Sequence, residues 1–319
     1  MNKLLPVALC GALALLLSVG CAGMSAKPVA TGPTTDELNA GRHHTVFRGS
    51  DGTVASWEEM VSAAAGAAAV LVGENHGHPR GLPSAAALFE DLVAKAPNAT
   101  LAMEFFERHE QADLDDYLAD LTKEDAFRVA ASRTDGNYPR GHRHMVETAK
   151  ANHRPVVAAN APRRYVRVAR ADGYDKLRTL TPEQQRLWRI PDELPTGKYR
   201  ENFEKVMSAG AAAHGQKEDE AAQKKRIDDT FRSQSLWDWT MADSVARAIQ
   251  AGRTPTLLVV GCFHINHEGG TVLALRRLAP GAKIVTVSYV SAESSSLRDE
   301  DKSIADYVIY VGEDETQKE

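Results

Sequence analysis

The chain has 319 residues, 43% of them hydrophobic and 25% charged, which is enough apolar content to bury a large core and too much for a disordered polymer. Its formal charge of −5 provides no overall basic field, which argues against nucleic acid as a partner. Of its three cysteines, Cys10 lies in an apolar leader and Cys21 at its end, so Cys262 alone falls in the folded part and the fold rests on packing, not on an intramolecular disulfide.

Residues 1–20 read as a secretory leader, with Lys3 as the positive start and an apolar core over 4–19 that is shorter than the roughly 20 residues of a bilayer span. Ser18-Val19-Gly20-Cys21 resembles the bacterial lipobox, which makes Cys21 the expected lipidation site. At about 0.8 kcal/mol per buried methylene, acyl chains there anchor a protein essentially permanently. Ala22 resembles an outer-membrane sorting residue, so the expected location is the bacterial outer membrane, on its periplasmic or surface face. Residues 21–42 are rich in Ser, Thr, Pro, Gly and Ala and read as a flexible tether. One α/β domain is expected over 43–313, followed by an acidic tail at 314–319.

Within that domain, residues 45–55 suggest a hairpin turning at Asp51-Gly52, and Ser56 an N-cap for a helix over 57–65 with Glu59 in the capping-box position. Residues 67–72 form an apolar run without alternation, as a strand buried on both faces does, and it ends in Gly73-Glu74-Asn75-His76. A helix over 82–96 stops before Pro97, and a second buried strand over 99–103 ends in Glu104. Helices follow over 107–121, 123–131 and, after the His142-Arg143-His144 segment, to about Asn152; a third strand at 154–159 delivers Asn160 and Arg163. The stretch 164–252 is almost wholly helical and charged, and it reads as an inserted cap over the carboxyl ends of the strands. A strand at 256–260 then runs into Gly261-Cys262-Phe263-His264, before a helix over 270–278, a strand over 283–289 and a final edge strand over 307–311.

The expected fold is therefore a mostly parallel central sheet flanked by helices, with the two Gly-x-x-His copies on one rim. That rim would gather Glu74, His76, His78, Glu104, Asn160, Arg163, His264 and His267. Imidazoles and carboxylates in this pattern suit two kinds of chemistry. Glu74, His76, Glu104 and His264 could hold a divalent metal ion, or they could move protons without one. Cys262 reads as a small buried hydrophobe, and Asn75 as a turn residue.

Gly73-Glu74-Asn75-His76, Met103-Glu104, the 156–163 segment, Trp239-Thr240-Met241-Ala242 and Gly261-Cys262-Phe263-His264 together resemble the haem-binding uptake (ChaN-type) lipoprotein family. That family is grouped in the wider Tiki/TraB and erythromycin-esterase-like superfamily. The resemblance implies a haem-binding lipoprotein serving haem or iron uptake, able to form a homodimer and to work with a haem or iron transport receptor. It implies tyrosine and histidine near the iron, for which Tyr138 with His142 and His144, and Tyr165 with Arg163, Arg164 and Asn160, are the candidates. The superfamily also contains metal-dependent proteases and ester hydrolases. In that alternative Glu74, His76, Glu104 and His264 carry the reaction and Arg163 stabilises developing negative charge.

Overall fold

The computed structural model describes residues 32–213 and 219–314; the expected leader, the Cys21 lipidation site, residues 21–31 of the tether and the end of the tail lie outside the described residues. The rest of the expected tether is a helix instead, α1 (Thr35–Arg42). Thr34 Oγ1 accepts from the Glu37 N–H at 3.2 Å while the Glu37 carboxylate accepts from the Thr34 N–H at 2.6 Å, a capping box that composition alone does not reveal. Arg42, in its last turn, pairs with Glu90 at 2.7 Å and with Asp91 at 2.9 Å, which binds this segment to the domain.

Eight strands form one sheet among the described residues: β1 (Val46–Arg48), β2 (Val54–Ala55), β3 (Ala69–Glu74), β4 (Thr100–Glu107), β5 (Val156–Asn160), β6 (Thr256–Gly261), β7 (Ile284–Val290) and β8 (Tyr307–Tyr310). Their order is β2-β1-β8-β7-β3-β6-β4-β5. All pairings from β8 to β5 are parallel, and the β1–β2 hairpin joins β8 antiparallel. The expected edge strand is thus internal: β8 is covered by the hairpin, and β2 and β5 are the edges. From β3 the chain passes to β4 and β5 on one side and later to β7 and β8 on the other, with β6 returning beside β3. Such a reversal opens a crevice at the carboxyl ends of the strands.

Alternation along the strands sends side chains to two cores. Val70, Val72, Leu101, Met103, Leu257 and Val259 meet α2 (Trp57–Ala65), α3 (Gly81–Lys95), α4 (Gln111–Leu118), α5 (Glu124–Ala130) and α6 (Arg140–Ala151) on one face. Leu71, Ala102, Leu258 and Val260 meet the opposite face, built by the second half of a long helix and by the last one. After β5 come α7 (Arg163–Arg178), the short α8 (Pro182–Gln185), α9 (Lys198–Ala213), α10 (Glu220–Gln250) and, after β6, α11 (Gly270–Leu278).

The expected cap over 164–252 is not one unit: α7 and α8 pack with Trp188 and Leu236 in a cluster of their own. The carboxyl half of α10, with Trp239, Met241, Ala242 and Val245 buried, is a sheet-covering helix, whereas α9 and the amino half of α10 pack on each other through Phe203, Ile227 and Phe231 and reach the rim at Phe263. Ser56 caps α2 as expected, accepting from the Glu59 N–H at 3.0 Å, but the Glu59 side chain turns to Arg48 at 2.9 Å instead of closing the box.

Arg108 fastens α10 to the end of β4. Its guanidinium, 8% exposed, donates to Asp243 at 2.6 Å, to the Thr240 carbonyl at 2.8 Å and to Ser244 at 2.8 Å. Arg108→Ala removes these bonds and leaves Asp243 with Arg247 alone, at 2.9 Å; it is expected to cost about 2 kcal/mol, read as a lower denaturant midpoint with an unchanged slope.

Candidate functional site

Register places the ends of β3, β6 and β4 side by side, with Glu74 opposite Gly261 and Met103 opposite Val259. Glu74 follows Val70 and Val72 towards the α3–α6 face, while Glu104 follows Ala102 towards the α10–α11 face. The two carboxylates leave the sheet on opposite sides of a strand that ends in a glycine. Gly261 has no side chain, so the His76 ring lies across it: a Cβ there would sit 3.0 Å from His76 Cε1 and Nε2 and 3.7 Å from Glu104 Oε2. The four predicted rim residues Glu74, His76, Glu104 and His264 are thus brought together.

On the α3–α6 side, Glu74 is 2% exposed and its two oxygens serve two imidazoles. Oε1 accepts from His76 Nδ1 at 3.0 Å and Oε2 from His142 Nε2 at 2.8 Å. Burial pushes the Glu74 carboxyl up, but the fields and hydrogen bonds of His142 and His76 outweigh it and hold the group below the ordinary glutamate value. The His76 side chain is 56% exposed, whereas His142 is fully buried. Phe105, at the end of β4, packs against both rings, with centroids 4.0 Å from His142 and 5.2 Å from His76.

The other side is built on Asp238, which the sequence reading did not single out. This fully buried carboxylate accepts from His264 Nδ1 at 2.7 Å, Thr271 Oγ1 at 2.8 Å and the Tyr199 hydroxyl at 2.5 Å. Glu104 lies beyond the His264 ring, with Oε1 3.7 Å from Nε2 and Oε2 accepting from the Gly261 N–H at 2.7 Å. Burial pushes the His264 imidazolium down; the charges of Asp238 and Glu104 more than offset this and raise its pKa above the ordinary value. Gly270 makes the arrangement sterically feasible, since a Cβ on it would overlap Asp238 and come within 2.7 Å of the Tyr199 ring. A sequence signal for Asp238 existed: an acid between two tryptophans on an apolar helix is buried, and a buried acid needs donors.

Several expected residues do other work. His78 is buried, with Nδ1 accepting from the Arg80 and Gly81 N–H groups at 3.2 and 3.0 Å and Nε2 donating to the Gly312 carbonyl at 3.0 Å, so it caps α3 and ties it to the chain end. His267 lies in a loop with φ +54° and donates its backbone N–H to the Ile304 carbonyl at 2.9 Å. The Cys262 thiol, buried, donates to Asn75 Oδ1 at 3.7 Å, and Asn75 in turn donates to the Tyr289 carbonyl at 2.9 Å, locking β3 to β7. Asn160 accepts from the Ala161 N–H at 2.9 Å, a turn-closing bond. Arg163 stands 76% exposed at the start of α7, its Nε 3.9 Å from Glu107 Oε1.

The structure packs Tyr138 and Tyr165 into apolar clusters and turns His144 to Glu90. Tyr138 is 4% exposed and packs with Phe106 and Phe127 in the core below the rim, with its hydroxyl unbonded among the described residues. Tyr165 is buried with Ala161, Val166 and Leu236, with Arg164 over its ring at 4.7 Å. His144, two residues after His142, points to the other side of α6 because two helical residues span about 200°. It meets Glu90 at 2.7 Å instead. Among the described residues no three His, Cys, Asp or Glu side chains are grouped to hold a metal ion.

A family model described as haem-binding uptake, Tiki superfamily, ChaN matches residues 60–275. Among solved structures the chain is similar to ChaN of Campylobacter jejuni, described by its cofacial haem binding, at 18% identity over 83% of this chain and 95% of that one, with a TM-score of 0.64. It is also similar to an erythromycin esterase, EreC, in its open conformation, at 13% identity over 79% and 78% of the two chains with a TM-score of 0.42. The type III effector HopBA1 matches at 15% identity over 86% of this chain and 99% of that one, with a TM-score of 0.40. No curated protein matches the chain.

The His264–Asp238 pair gives a pH dependence with a defined sign. A pKa raised on folding means that the pair's stabilisation is complete below the unfolded-state histidine pKa, about 6.5, and is lost as pH rises through the higher folded value. An NMR titration of His264 is expected to show a midpoint above that of free imidazole. Asp238→Asn should lower that midpoint and cost about 3 kcal/mol at pH 6, with a smaller loss at pH 9.

Proposed function

The chain belongs to the haem-binding uptake, ChaN family of the Tiki superfamily, and we propose that it binds haem on the rim around His76. Haem is a flat apolar ring with an electrophilic iron and two carboxylates, and it needs a basic nitrogen or oxygen, aromatic walls and cations. The rim supplies each kind of group: the half-exposed His76, the partly exposed rings of Phe105 and Phe263, and the guanidinium of Arg163. The observation that carries the reading is His76 itself, an exposed imidazole whose other nitrogen is held by a buried carboxylate, the usual support of a metal-ligating histidine. Iron supplies the bond to the protein, while these side chains orient the ring and exclude water from it.

We further propose that the protein is lipid-anchored in the bacterial envelope through Cys21 and hands haem to or from a transport receptor, with a second copy of the chain covering the open side of the rim. No helix among the described residues is long and apolar enough to cross a membrane, so the acyl chains would supply the attachment.

Protein lacking residues 1–20 is expected to give a saturable Soret band on titration with micromolar haem. Phe105→Ala and Arg163→Glu are each expected to weaken binding about 10-fold, corresponding to roughly 1.4 kcal/mol. Absence of saturable binding removes the proposal.

The Glu104–His264–Asp238 chain favours a second reading, ester or peptide hydrolysis with His264 as the proton carrier. A substrate screen decides it: turnover that survives both Glu104→Gln and His264→Ala excludes this role.

A further inference from the structure

We propose that the exposed arginine stripe on the first half of α7 lays the protein against an anionic lipid surface, its guanidinium groups meeting headgroup phosphates. This deepens the proposed attachment through Cys21 and rests on it.

Four of the first eight residues of α7 are arginines: Arg163, Arg164, Arg167 and Arg170. At about 100° per residue, Arg163, Arg167 and Arg170 fall within about 60° of one another and span about 10 Å along the helix, with Arg164 beside them. All four are exposed, while Tyr165, Val166 and Ala169 turn to the core. Positive charge is unfavourable at this end of a helix, because the first turn carries the positive pole of the dipole and favours acids. The first turn of α7 nevertheless contains no acidic residue.

Neighbouring elements do not neutralise the stripe. Arg163 has Glu107 at 3.9 Å, and Arg164 lies over the Tyr165 ring. Among the described residues no carboxylate pairs with Arg164, Arg167 or Arg170. Arg232, on α10, donates to the Arg170 carbonyl at 3.3 Å, but Asp229 beside it is already shared between Arg232 and Lys225. On a chain of net charge −5 this row of cations is a local reversal of sign, and it fits a partner that presents many negative charges at once.

The point at which the amino-terminal segment joins the domain selects a lipid surface as that partner. Arg140, the first residue of α6, donates to the Gly32 carbonyl at 3.0 Å, and His142 in the same turn reaches Glu74 on the rim. Helix α7 starts just past the end of β5 on the same rim, so Gly32 and the stripe share one end of the molecule. From Cys21 to Gly32 the chain can span at most about 40 Å. An acyl group on Cys21 therefore keeps that end within the same distance of the headgroups, and the stripe decides which flank meets them. Each basic residue close to an anionic surface strengthens attachment about fivefold.

The experiment sediments protein lacking residues 1–20, without any acyl chain, with vesicles of phosphatidylcholine alone or mixed with phosphatidylglycerol. Binding is expected to the mixed vesicles only, and to fall as salt shortens the screening length from about 10 Å at 0.1 M to about 3 Å at 1 M. Arg167→Gln combined with Arg170→Gln should weaken it about 25-fold. Arg167→Lys combined with Arg170→Lys should retain it, and the thermal midpoint of both variants should match that of the unmutated protein, since these side chains are exposed.

Equal binding to both kinds of vesicle, binding to neither, or an affinity unmoved by the glutamine pair overturns the inference. Soluble polyglutamate bound through the same arginines while mixed vesicles are not bound also overturns it, in favour of an acidic polypeptide. Mass spectrometry of the full chain tests Cys21 separately. An unacylated Cys21 defeats the anchorage, whereas an acylated Cys21 with charge-blind vesicle binding defeats the inference alone.

Discussion

The rim depends on the burial of negative charge at the carboxyl ends of a parallel sheet. A carboxylate taken out of water loses several kcal/mol of hydration, and it stays ionised there only if the protein surrounds it with donors. Glu74 and Asp238 both meet that requirement with imidazoles or hydroxyls: Glu74 with His76 two residues on and His142 from α6, Asp238 with Tyr199, His264 and Thr271. The histidines of the two Gly-x-x-His copies are consequently each held through Nδ1 by a buried carboxylate.

The two assemblies sit on opposite faces of the sheet, and what joins them is the lack of a side chain at Gly261. Strand alternation would otherwise keep Glu74 and Glu104 apart, with the body of β6 between them. Because β6 ends in glycine, His76 can lie over the strand end and approach Glu104. Gly270 plays a matching part on the far side, where Asp238 and Tyr199 press against the start of α11. Tyr199 lies on α9, and Phe263 beside His264 packs on Tyr199 and Phe203, so the helical hairpin and the His264 side of the rim are one packed unit.

Much of this was legible in the sequence. Continuous apolar runs at 67–72, 99–103 and 256–260 announced buried parallel strands, and their abrupt polar endings announced the rim. Sequence proximity misled where helices intervened. Tyr138 and His142 are separated by only four positions, yet Tyr138 precedes α6 and packs on Phe106 in the core while His142 meets Glu74. His142 and His144 read as a pair, but helical rotation sends them to different faces. Residues 35–42 had the composition of a tether, and a capping box with two ion pairs made them a packed helix.

The amino-acid sequence by itself determined the α/β class, the buried strands and the identity of the four groups at the strand ends, because hydrophobic periodicity and strand termination are local properties. Only the tertiary structure decided which partners those groups have. The His142 donor to Glu74 and all three donors to Asp238 come from positions tens of residues away, and no local pattern records which helix face will be turned towards a buried charge. Desolvation selects the partners, and it acts only once the chain has closed around them.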